Sequence, residues 1–177
     1  MVGTGWIAAR EGRAAGRREE AQRIAAKTAA LNLAVLAHTH VKRMGELLRD
    51  ESTRGRLNHI SPSRSLLSNQ QMLASFPLES LENVDAMVAF TYFPGALAMA
   101  AEIYAHLEEA VRAAEDDDPV AVFEHYAAQI AGIEQHLDGR LAELKAALNL
   151  ADGVGAGHGA RLFEARRHTP HKRAKAR

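Results

Sequence analysis

The sequence predicts an all-α protein, and three observations carry that expectation. Ala and Leu supply much of an apolar fraction of 47%, while aromatics are only 5%. Ala, Leu, Glu, Arg and Gln lose little rotamer freedom in a helix. No β-branched run alternates with period two; apolar residues instead recur at steps of three and four over long stretches. At 177 residues the chain has the length of one domain with a sizeable core. The expected architecture is a bundle of two long helices and two or three shorter ones, mostly antiparallel neighbours, with a disordered basic C-terminal tail. Residues 1–18 then form a basic helix start or membrane-proximal segment, 19–151 the bundle, and 152–177 a Gly-rich hinge and tail.

The first long helix is expected from about Trp6 to Asp50. One seam reads Leu31, Ala34, His38, Val41, Gly45, Leu48, and a second reads Leu33, Ala37, His40, Met44, Leu47. A helix apolar on two flanks packs between neighbours. "STRGRLNHISPS" breaks it, and Ser61-Pro62 has the form of an N-cap followed by a first-turn proline. A short helix follows to Ser75 and stops before Pro77. The next segment predicts a helix from about Leu78 to Phe90, a kink or restart at Pro94-Gly95, and a continuation to Ala114 along Leu97, Ala100, Tyr104, Leu107, Val111. In "EDDDP", Asp118 can cap a last helix that starts at Pro119 and runs to about Leu150. Its stripe is Phe123, Tyr126, Ile130, Ile133, Leu137, Leu141, Leu144, Leu148.

Net charge is zero, but charge is segregated. Residues 10–27 hold six basic and three acidic side chains, residues 161–177 hold seven and one, and the stretch between holds nine and 18. An acidic body is flanked by a basic head and a basic tail, a layout that attracts anionic surfaces. The candidate contacts are Arg10, Arg13, Arg17 and Arg18 in the head, and Arg166, Arg167, Lys172, Arg173, Lys175 and Arg177 in the tail. Such a tail could hold phosphates with strong salt dependence and little specificity, or anionic lipid; it lacks interleaved aromatics for base stacking. As a plain solubilising tail it needs no partner.

The opening "MVGTGWIAAREGRAAGRREE" sets Trp6 ahead of Arg10, Arg13, Arg17 and Arg18, as at the cytoplasmic exit of a membrane helix. Nine residues before Arg10 are too few to span a bilayer or to form a complete signal peptide. Three readings stay open: a shallow interfacial anchor, the remainder of a longer natural chain, and a frayed helix start.

With no cysteine, disulfides, thiolate metal sites and cysteine nucleophiles are excluded. "GAGHGA" at 155–160 fits a loose dinucleotide pattern, but a long helix precedes it where a strand is needed, so a flexible linker is the better reading. His38 and His40 point about 200° apart on a helix and read as interhelical hydrogen-bonding groups. Glu102 and His106 share a face, yet no Glu-x-x-His or His-Glu-x-x-His occurs. His168 and His171 belong to the solvated tail. Nucleophile-elbow, phosphate-loop, kinase and EF-hand patterns are missing too. "EEAVRAAEDDD" reads as a charged loop rather than a cation or partner knob.

The uncharged run 86–101 spans 16 residues broken by Pro-Gly, too short to cross a membrane. It reads as a buried helix pair. Its alternative is a groove beside Pro94, lined by Phe90, Tyr92, Phe93 and Met99, that takes a partner helix.

These features point to a non-enzymatic helical protein, bacterial in its Ala- and Arg-rich style, that acts by association. Self-association or a helical protein partner would use coiled-coil-like burial of the seams, and the basic ends would dock on an anionic membrane or protein. No cofactor, metal or small-molecule substrate is implied. The expected location is cytoplasmic, at the inner face of a membrane where the head docks. The rivals are a nucleic-acid-associated protein using the tail, and an enzyme or metal protein with a site assembled across helices.

Overall fold

The seams become the buried lines of a helical bundle. The computed structural model describes residues 3–54, 62–113 and 119–149. Among these it holds four helices longer than one turn and no strand: α1 (Gly3–Arg49), α2 (Pro62–Ala74), α3 (Val84–Ala113) and α4 (Pro119–Leu148). A single turn, Glu51–Arg54, follows α1, and a 3-10 turn, Leu78–Leu81, precedes α3. The most extensive packing joins α3 to α4, α2 to α3 and α1 to α4. The expected caps Ser61 and Asp118 lie outside the described residues, as does the C-terminal tail.

Leu31, Ala34, Val41 and Leu48 of the first seam are buried, as are Ala37 and Met44 of the second. Leu97, Ala100, Tyr104 and Leu107 of α3 meet them, and so do Ile130, Ile133, Leu137, Leu141, Leu144 and Leu148 of α4. Phe76, half-buried after α2, stacks at 4.9 Å on Phe90, which lies 6.3 Å from Phe93. Gly45 lets α1 approach α4 closely: a Cβ there would lie 3.1 Å from Ile130 Cγ2.

One expectation needs correction. The proline was expected to kink or restart the helix at Pro94-Gly95, yet α3 runs unbroken through Pro94. Interior proline removes a backbone hydrogen bond at a cost of about 3 kcal/mol. Phe90, Phe93 and Leu97 around it are at most 1% exposed, and each fully buried side chain of that size returns about 1.5–3 kcal/mol. Packing therefore holds the helix through its proline. The start differs too: Leu78–Leu81 is a 3-10 turn, and Glu82 at φ 55° turns the chain out of it.

Asn83 then sets the start of α3. Its Oδ1 accepts the Ala86 N–H at 3.1 Å, the N-cap bond that satisfies a first-turn donor. Its Nδ2 donates to the Ala147 carbonyl at 3.0 Å, which satisfies a last-turn acceptor of α4. One amide thus ties the start of α3 to the end of α4. At the other end of the bundle, Arg54 Nε donates to the Leu48 carbonyl at 2.9 Å, closing α1, and its guanidinium lies 5.0 Å over the Phe123 ring.

These contacts fix direction. Arg49 reaches Glu134 at 3.2 Å and His38 lies 2.8 Å from Asp138, so α1 and α4 are antiparallel. Asn83 at Ala147 and Tyr92 at His136 make α3 and α4 antiparallel as well. The bundle therefore has two poles. Near one, α4 ends, α3 begins and α1 enters; near the other, α1 and α3 end and α4 begins.

Candidate interaction surfaces

The first surface is the entering part of α1. Its first buried residue is Ala30, and residues 12–25 are exposed apart from half-buried Ala14. Arg23 pairs with Glu82 at 3.1 Å, so the bundle's edge lies at that level. The 21 helical residues Gly3 to Arg23 form an arm about 30 Å long. Stepping back from Leu31 at the seam's own spacing leads to Lys27, Ile24, Glu20, Arg17, Arg13, Arg10 and Trp6. The repeat that is apolar in the bundle is basic in the arm, drifting about 20° per heptad on a straight helix. Arg18 falls off this line.

Helix α4 ends at the same pole as the arm, so the chain carrying the basic tail leaves the bundle there. Its candidate contacts Arg166, Arg167, Lys172, Arg173, Lys175 and Arg177 lie outside the described residues. At the opposite pole α3 ends at Ala113 and α4 begins at Pro119, and the sequence between them is Ala-Glu-Asp-Asp-Asp.

The second surface is the outer face of α3 and α4. The four residues expected around Pro94 separate. Phe90 and Phe93 are 1% and 0% exposed and belong to the core, so they line no surface groove. Tyr92 and Met99 are exposed on the other side of the same helix, in line with Val84 and Val88. A groove of about 490 Å³ does exist, but between α3 and α4: Ala96, Met99 and Ile103 form one wall, Gln129, Gly132, Ile133 and His136 the other. Next to it on α3, the Tyr92 ring meets His136 edge-on at 5.6 Å and carries the Arg140 guanidinium at 3.9 Å. Arg140 also pairs with Glu143 at 2.7 Å. The α4 wall went unread in the sequence. Its signal was glycine inside a strong helix pattern, at Gly132 and Gly139, where a Cβ would meet nothing within 4 Å. By length and composition α3 is apolar enough to cross a membrane, though its core face is buried in the bundle.

The histidines of α1 bridge helices. His40 Nδ1 accepts the Asn69 amide of α2 at 2.6 Å, and its Nε2 lies 3.5 Å from Ser65 Oγ, an arrangement that suits a neutral ring. Burial holds His40 below its usual range, and the Arg43 guanidinium pushes the same way. His38 Nε2 lies 2.8 Å from Asp138 Oδ1 but off the line of a hydrogen bond, so that contact is an ion pair only when the ring is charged. The Tyr104 hydroxyl is buried without a hydrogen-bond partner among the described residues. Burial raises its pKa, against a smaller pull from Arg49. Among the described residues no three His, Asp or Glu side chains converge as metal ligands do.

No protein-family model, curated protein or solved structure matches the chain.

Proposed function

We propose that the protein is a non-enzymatic association module whose basic pole docks on the anionic inner face of a membrane. What supports this role is the arm of α1, exposed from Gly12 to Arg23 apart from half-buried Ala14, which carries Arg13 and Arg17 on a helical register that the sequence continues back through Arg10 to Trp6. A run of basic residues on one helix face is drawn to an anionic lipid surface, and a Trp ahead of such a run is the pattern found at the cytoplasmic boundary of a membrane. Helix α4 ends at the same pole as the arm, and the basic tail follows it in sequence. A polar helix arm with Gly12 and Gly16 in it gains little stability in water; a surface that takes its basic face supplies the missing packing.

Flotation of the full chain with vesicles tests this. Anionic vesicles should carry the protein and neutral ones should not. Each basic residue near such a surface contributes about 1 kcal/mol, so R10E/R13E/R17E should weaken binding by at least about 100-fold. No flotation of wild type with anionic vesicles would refute the role, and equal flotation of wild type and variant would remove the arm from it. Salt-dependent binding to duplex DNA, lost on deleting 161–177, would favour the nucleic-acid rival instead.

A further inference from the structure

We propose that the outer face of α3 and α4 is the interface of a homodimer, in which the large apolar side chains of α3 seat in the glycine and alanine notches of α4 of a second copy. The occupant follows from the face itself, which carries both halves of a complementary pair. On α3, Val84, Val88, Tyr92 and Met99 are 70%, 51%, 39% and 57% exposed. Their spacing of four, four and seven sets them on one helical line. On α4, Gly132, Gly139 and Ala146 lie on one exposed line, and Cβ atoms at the two glycines would touch nothing. Among the described residues no packing calls for those glycines. A notch for another chain's side chain does.

Register makes the match specific. The antiparallel pairing of α3 and α4 sets Asn83 beside Ala147, Tyr92 beside His136 and Arg140, and Ile103 beside Gln129. At that register Met99 stands level with Gly132, Tyr92 with Gly139 and Val84 with Ala146. A two-fold axis parallel to the helices keeps every residue at its level and exchanges α3 for α4. Each large side chain then faces a small residue of the partner copy, as an isologous interface requires. The groove between Met99 and Gly132 lies beside this axis.

Size agrees. Two 30-residue helices side by side present a face about 45 Å long and about 20 Å wide, near the roughly 800 Å² per partner of a standard interface. The Arg140 charge, nearest to the groove, is already matched by Glu143, so pairing leaves no unpaired cation inside. The same axis sets both basic poles at one end of the dimer. The pairing does not depend on membrane docking.

Sedimentation equilibrium of the full chain up to about 100 μM, in buffer without lipid, measures the pairing. Wild type should be a dimer. Met99→Glu removes a knob and Gly132→Gln fills a notch; each should weaken dimerisation at least tenfold without changing helicity. Leu67→Glu, at a residue 46% exposed on α2, should leave the dimer intact. Because the chain has no cysteine, an equimolar mixture of M99C and G132C chains should cross-link on oxidation faster than either chain alone. A wild type that stays monomeric, or a dimer indifferent to both substitutions, overturns the proposal. So does a monomer that floats with neutral vesicles unless Met99 is replaced, because lipid is then the occupant. Loss of vesicle binding by R10E/R13E/R17E bears on the basic pole alone.

Discussion

The two halves of α1 share one helix and face different surroundings. From Ala30 to Leu48 the three-four repeat is mostly Leu, Ala, Val and Met; Leu31, Ala34, Ala37, Val41, Met44 and Leu48 are buried against α4 and its neighbours, and the rest is at least half-buried apart from the gaps between the seams. From Gly12 to Arg23 the same repeat carries Arg and Glu on an exposed helix. Propensity cannot explain the contrast, because Ala, Arg and Glu are good helix formers in either half. The periodic burial of apolar area is what separates the body from the arm. It follows that the body should respond to mutation through packing, while the arm should respond through charge and through whatever surface it meets.

The largest effect belongs to the buried seam. Leu48 is 0% exposed at the end of α1, and Leu144 is equally buried on α4. Truncating either to Ala removes its burial and leaves a cavity, so each should cost about 2–5 kcal/mol in urea unfolding. Ile24→Ala in the arm, where the side chain is 46% exposed, should cost less than about 0.5 kcal/mol. Equal costs at both sites would erase the distinction between the two halves.

Glycines sharpen it. Gly45→Ala sets a Cβ 3.1 Å from Ile130 Cγ2 and 3.2 Å from Arg49 Nη2. The guanidinium can swing away, but Ile130 is 0% exposed and has nowhere to go. The clash should outweigh the helix-propensity gain and destabilise by about 1–3 kcal/mol. At Gly16 a Cβ meets nothing within 4 Å. Gly16→Ala should therefore raise helicity by circular dichroism and leave the unfolding midpoint unchanged.

What could be read from the sequence follows the same boundary. Where side chains repeat and are buried, the elements emerged within a few residues: α1 and α4 end close to where their seams end, and α2 stops before Pro77 as expected. Local rules failed where a distant contact decides. Pro94 announced a break, but burial of Phe93 and Leu97 carries α3 through it. Asn83 carried no visible sign of its role because its second partner is the Ala147 carbonyl, 64 residues away. The uncharged run at 86–101 read as a buried helix pair, with a partner groove as the alternative, and did not reveal which side of the helix faces inward. Phe90 and Phe93 therefore stood beside Tyr92 and Met99 as equals until α2 and α4 were packed around them. The charge segregation was legible as composition, and only the antiparallel order of the helices showed that the arm and the end of α4 share a pole.

His40 gives the body a pH dependence. In the folded protein its ring is held below the usual value of 6.5, by burial first and by Arg43 second. The unfolded chain therefore takes up a proton more readily than the folded one. By linkage the contribution is complete above about pH 6.5 and is lost as the pH falls through that value towards the lower folded pKa. The urea midpoint of wild type should accordingly fall faster from pH 7 to pH 5 than that of His40→Gln. Parallel curves would mean that the Asn69 and Ser65 contacts tolerate the charged ring.

The smallest effect on stability is expected from the arm itself, and there the comparison is most exposed to failure. Deleting residues 1–22 removes the register that carries Arg10, Arg13 and Arg17, but no residue assigned to the core. Arg23 and its exposed pair with Glu82 remain, and that pair contributes less than about 1 kcal/mol in any case. Unfolding of the shortened chain should match the full chain within about 0.5 kcal/mol, and its vesicle binding should fall towards that of R10E/R13E/R17E. A loss of stability comparable to Leu48→Ala would show that the arm packs on the bundle or on a second copy. Unchanged stability with unchanged flotation would leave the basic tail to hold the surface without the arm.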